Sequence, residues 1–239
     1  MAMNSPDFAT RFRAVASQSR VALLLLGLIL LYFFWLLLHG AGLLQVVPEV
    51  HVAWGSNFGP LTLGGQSWRL LSNLFIHFGV IHLAFNSLAL WQLGPLAERL
   101  FGSAHFLLLY LLAGVAGSVA SLLWNPLVNS AGASGAIFGL IGGLLAFLSR
   151  RNLGVPGGML LALRRDLLTF GGFSLFYGLV QPGIDNAAHI GGLIAGFLAG
   201  LALARPTDAK SRSGNDLVRL LAVAVVGLTV LAGVFLAIS

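Results

Sequence analysis

Uncharged apolar stretches of close to twenty residues recur along this chain, each closed by arginine, glycine or proline. A helix of about 20 residues spans the roughly 30 Å hydrocarbon core of a bilayer. No water is available there for exposed backbone groups, so such runs can cross only as helices or as strands of a closed barrel. The alternating pattern of barrel strands is absent. Charged residues make up 8% of the chain and hydrophobic ones 58%, against about 25% charged in a soluble domain. The fold class read from this pattern is an all-α polytopic membrane protein.

Seven runs are read as spans, at 21–38, 70–96, 104–124, 129–150, 159–180, 186–204 and 217–238. The chain divides accordingly into a short N-terminal segment (1–20), a six-span core (21–204), a polar linker (205–216) and a seventh helix (217–239). The first run is long for a signal-peptide core and no small-x-small cleavage site follows it, so it is read as a retained span. Between spans 1 and 2 lies a Gly- and Pro-rich loop carrying Trp54 and Trp68-Arg69.

The 13 lysines and arginines outnumber the 7 acids. With the N-terminus in the cytosol, alternation of spans puts every cation except Arg69 on the cytosolic side, as the positive-inside rule requires. The expected setting is a cell (inner) membrane, with the C-terminus outside. These cations sit at span ends and orient the protein, so no nucleic-acid partner is expected. Cysteine is absent, which excludes disulfides, thiolate metal sites and a cysteine nucleophile.

Polar groups within spans are costly and tend to mark function. Here they are His82 and Asn86 in span 2, Ser134 in span 4 and His189 in span 6. All three spans run inward from the outer side, and all four residues fall in their outer halves. His82 and Asn86, four apart, share a helix face. Gly135, Gly139 and Gly143 make one smooth stripe on span 4. Ala188, Gly192, Gly196 and Gly200 make another on span 6, so the two helices can approach closely where serine and histidine lie. A histidine in reach of a serine hydroxyl can take its proton. His82, Asn86 and the Ser134 backbone N–H can donate to the oxyanion that attack creates. The set suits acyl transfer.

At these residues the sequence resembles the rhomboid intramembrane serine proteases. The motifs run in that family's order: Trp68-Arg69, His77…His82…Asn86, Glu98-Arg99, Gly132-Ala133-Ser134-Gly135 and Ala188-His189-x-x-Gly192-x-x-x-Gly196. The resemblance implies a Ser134–His189 catalytic dyad and an oxyanion hole of His82, Asn86 and Ser134. It also implies a six-helix rhomboid-like core with one C-terminal transmembrane helix added. The implied substrates are single-span or polytopic membrane proteins met within the lipid bilayer, cut near small or helix-breaking residues. Some family members carry a tyrosine four residues after the nucleophile; Phe138 stands there in this chain and can stack on the histidine. Asp185 is read as the cap of span 6, not as a third catalytic member.

No cofactor or metal is expected: there is no His-Glu-x-x-His, and no span interior offers an aspartyl pair. Two other readings compete. A catalytically inactive rhomboid-like protein binding membrane clients would be expected to lack the serine or the histidine. A channel or transporter would need polar groups across the whole bilayer, whereas these lie at one depth. His39, His51 and His105 fall near span ends or in loops and are given no chemistry. His77, about 140° around a continuous helix from His82, is expected to face away from it.

Overall fold

The computed structural model describes residues 19–44, 46–150 and 157–203, together with residues 227, 232 and 233. The 1–18 stretch, the 205–216 linker and nearly all of the expected seventh helix lie outside the described residues. Gly233, which is described, sits so close to Val119 that a Cβ there would overlap that side chain.

The elements in order are α1 (Arg20–Leu38), α2 (Pro48–Ala53), α3 (Gly59–Thr62), α4 (Arg69–Ser72), a 3-10 turn (Asn73–Phe75), α5 (Gly79–Phe101), α6 (Ser103–Trp124), α7 (Ser134–Leu148), α8 (Gly157–Val180) and α9 (Asn186–Leu203). Among the described residues there is no strand, only a two-way backbone bridge between Asn57 and Ser130. Helices α1, α5, α6 and α9 are long and apolar enough to cross a membrane, and α7 is a shorter apolar helix. The chain is an integral, multi-pass, all-helical membrane protein.

The expected helix at 70–96 is broken. One turn of α4 and the 3-10 turn end at Ile76, whose backbone is extended, and α5 begins at Gly79 with φ +78. The Asn73 side chain bonds the Arg69 carbonyl and Ser118 Oγ, which ties the turn to α6 and stops it from running on as one helix. Residue 77 therefore lies outside any helix, and α5 continues past the expected end to Phe101.

The loop between α1 and α5 is folded, not slack. Arg69 is buried: Nη1 donates to the carbonyls of Val52 (2.6 Å) and Ser56 (3.0 Å), and Nε donates to Gln66 Oε1. Burial lowers its pKa from the ordinary guanidinium value, and Tyr32 opposes the shift. Tyr32 on α1 donates to the Trp54 carbonyl at 2.6 Å, joining the loop to the bundle.

Helix α7 is the axis of the bundle, buried along almost its whole length. Its glycine stripe meets that of α9 in register. A Cβ on Gly192 would overlap the Gly135 carbonyl, one on Gly196 the Gly139 carbonyl, and one on Gly200 would lie 2.6 Å from Gly143 Cα. Backbone rests on backbone, the close approach that small residues permit between membrane helices.

Glu98, near the far end of α5, caps a different helix. Its carboxylate, 2% exposed, accepts the Val21 and Ala22 N–H groups at 3.1 and 2.8 Å and the Ser103 hydroxyl at 2.6 Å. It satisfies free donors in the first turn of α1, where a negative charge is favoured.

Candidate active site

Helix α7 has 15 residues, a rise of about 22 Å, less than the thickness of a hydrocarbon core. An irregular segment, 129–133, leads into its N-terminus: Gly132 has φ +131 and Ala133 is already in the αR region. Irregular backbone among membrane helices is tolerated only where protein satisfies it, and here the α1–α5 loop does so. Ser130 exchanges both backbone hydrogen bonds with Asn57, at 2.8 and 2.9 Å, and the Gly132 N–H donates to the Asn73 carbonyl at 2.9 Å. The Ala133 N–H points to His77 Nε2 at 3.4 Å.

Ser134 is the first residue of α7, and no side chain caps that end. Its own N–H belongs to the turn whose donors lack partners within the helix, and the helix dipole favours negative charge there. Ser134 Oγ and His189 Nε2 are 2.9 Å apart. The smooth α7–α9 contact brings them together as expected. With Nε2 accepting the hydroxyl proton, the ring proton is on Nδ1, which has no partner among the described residues. Asp185 Oδ1 accepts the Ala188 N–H at 3.0 Å and so caps α9. The Phe138 ring stacks on the imidazole, with centroids 4.4 Å apart and planes at 11°.

His82 and Asn86 lie on one face of α5, and Asn86 Nδ2 donates to the His82 carbonyl at 2.9 Å. That uses one amide proton and leaves the other. His82 Nδ1 accepts the Phe78 N–H at 3.3 Å, so in the neutral ring the proton is on Nε2. This donor edge lies against Gly132: a Cβ at that residue, whose φ is +131, would be 2.8 Å from both His82 Cε1 and Nε2 and 3.7 Å from Ser134 Oγ. Only glycine admits the imidazole so near the serine.

His77 corrects the sequence reading. It does not face away: its ring lies 5.1 Å from that of His82 and is fully buried. The 140° argument needed a helix through 77–82, and α5 starts after it. Its contact with the Ala133 N–H links it to the residue before the serine, and no local pattern could have indicated that. His39, His51 and His105 each bond a backbone carbonyl four residues back. No cluster of histidine and acid suited to a metal occurs among the described residues.

Fold and site together define a helical membrane protein with a serine and a histidine in contact at a buried helix N-terminus. The rhomboid domain model matches residues 64–206, and the chain belongs to the rhomboid family. It is 43% identical over 184 residues to Rhomboid protease GluP of Bacillus subtilis (strain 168), covering 77% of this chain and 34% of that protein. It is 42% identical over 140 residues to RHOMBOID-like protein 4 of Arabidopsis thaliana, covering 59% and 35%. With Rhomboid protease AarA of Providencia stuartii it shares 30% identity over 226 residues, covering 84% and 79%. The chain thus spans about a third of the first two relatives and most of the last.

Proposed function

We propose that this protein is an intramembrane serine endopeptidase that cleaves other membrane proteins in or near their transmembrane segments. The observation that carries the reading is the 2.9 Å contact between Ser134 Oγ and His189 Nε2 at the start of α7. Ser134 is the nucleophile and His189 the base that takes its proton and later returns it to the leaving amine. The Ser134 N–H, His82 Nε2–H and the free Asn86 amide proton receive the oxyanion. The substrate must unwind locally, because a helical carbonyl is already bonded; small and helix-breaking residues near the cut favour this. The core is the six-span unit at 21–204, the N-terminus is cytosolic, and the site opens towards the outer side of a cell membrane.

The test is cleavage of a labelled single-span membrane protein by the purified chain in proteoliposomes. Wild type should cleave, while Ser134→Ala and His189→Ala should not, and the double variant should be no worse than either because the pair acts as one unit. Appreciable turnover by Ser134→Ala would sink the assignment. Wild-type protein that binds the substrate without cutting it would favour a client-binding role.

A further inference from the structure

Asn57 and Asn73, which hold the segment leading to Ser134, are themselves held by a single residue of α6. Asn57 Nδ2 donates to the Ser118 carbonyl at 2.9 Å, and its Oδ1 accepts the Thr62 hydroxyl at 2.9 Å. Asn73 Nδ2 donates to Ser118 Oγ at 2.9 Å. The Ser118 hydroxyl has one proton to give, with the carbonyls of Leu70 (3.0 Å) and Gly114 (3.1 Å) and Asn73 Oδ1 (3.2 Å) in reach. Asn57 is fully buried, and Asn73 and Ser118 are 4% and 3% exposed.

The geometry points to Ser118 as a positioning residue for the nucleophile, setting through Asn57 and Asn73 the backbone that delivers Ser134 to His189. This rests on the reading of Ser134 as nucleophile. Ser118 makes no hydrogen bond to Ser134 or His189, so its action is indirect and runs along two separable arms. Its backbone carbonyl holds Asn57, which pairs with Ser130. Its hydroxyl holds Asn73, whose carbonyl takes the Gly132 N–H. The clamp fixes the segment next to His82 as well, because Gly132 lies against that ring. A displacement of about 1 Å in such a constellation can cost 10²-fold in rate.

The arms respond differently to substitution. Ser118→Ala keeps the carbonyl and removes the hydroxyl, so amide hydrogen exchange at Gly132 should speed up at least tenfold while Ser130 stays protected. Fluorophosphonate labelling of Ser134 should slow by roughly 10–10²-fold, and kcat should fall with KM little changed. Asn73→Ala also loses the bond to the Arg69 carbonyl and should be at least as slow, and the Ser118→Ala/Asn73→Ala double variant should be no slower than Asn73→Ala alone, since their shared contact is already gone. Ser121→Ala, one turn further on α6, is the control and should leave exchange at Gly132 unchanged. Unaltered Gly132 exchange in Ser118→Ala would overturn the proposal. So would a lower melting temperature with an unaltered labelling rate of the folded protein. Hydrogen exchange reads the clamp even if wild type cleaves nothing; that outcome would count against the proteolytic reading and leave the clamp to be decided at Gly132.

Discussion

Phe138 lies flat on His189, with ring centroids 4.4 Å apart and planes 11° from parallel. The imidazole is therefore oriented by the Ser134 hydroxyl on one nitrogen and by an aromatic face, with no carboxylate among the described residues bonded to the other nitrogen. Phe138→Tyr keeps the face and should leave turnover within a few fold. Phe138→Leu keeps most of the apolar volume but loses the flat contact, and kcat should drop by roughly 10²-fold if the ring shifts by about 1 Å. Equal kcat in the two variants would show that stacking does not orient the histidine.

Asp185 gives a separate check, because its carboxylate caps α9 through Ala188. Asparagine caps as well as aspartate, whereas alanine costs about 1 kcal/mol. Asp185→Asn should therefore keep both melting temperature and kcat, and Asp185→Ala should lower stability first. A collapse of kcat in Asp185→Asn at unchanged melting temperature would make the carboxylate a partner of His189.

The glycine stripes predict a gradient. A valine at Gly192 would drive into the Gly135 carbonyl, and one at Gly200 into Gly143 Cα. Either should destabilise the fold by about 1–3 kcal/mol, the scale of overpacking. Gly192 lies beside the Ser134–His189 contact; Gly200 lies two turns deeper, about 12 Å along the helix. At a temperature where both variants are folded, Gly192→Val should lose far more activity. Equal losses would separate helix packing from the placement of the pair.

Asn86 is assigned as a donor to the oxyanion, with no part in proton transfer. Asn86→Ala should slow turnover by roughly 10²–10³, the scale for losing one such donor. Fluorophosphonate labelling of Ser134 should persist in that variant and vanish in His189→Ala. The reverse pattern would show that the base has been misassigned.

Sidedness can be tested in this naturally cysteine-free chain. Gln181, in the exposed turn before α9, and Arg165, exposed on α8, fall on opposite sides in the proposed orientation. Gln181→Cys should react with an impermeant maleimide on intact cells, and Arg165→Cys only after permeabilisation. Labelling of both on intact cells would overturn the orientation.

Much of this protein was legible in its residues because a bilayer enforces simple rules. Hydrocarbon fixes the length of a span, so α1, α6 and α9 fall close to where the apolar runs put them. Polar side chains are expelled from spans unless they have a partner, so Ser134, His82, Asn86 and His189 stood out before any geometry was known. The four-residue glycine spacing on α7 and α9 already implied the contact that joins serine to histidine. Asp185 as cap followed from its place just before span 6, and Phe138 as stacking partner from the resemblance to the rhomboid proteases.

Tertiary structure alone decided how Ser134 is held. Asn57, Asn73 and His77 take up backbone groups of the segment before Ser134, with Ser118 behind the two asparagines, and such bonds leave no periodic trace because any residue offers the same N–H and carbonyl. The break before Gly79 arises because Asn73 spends its side chain on Arg69 and Ser118, and a local propensity cannot register a partner 45 residues away. Glu98 likewise reads as the charged end of its own helix, yet its carboxylate serves α1, 76 residues earlier. Hydrophobic pattern determines which segments enter the membrane; the pairing of their remaining polar groups depends on which helix ends become neighbours, and that is set only once the helices have packed.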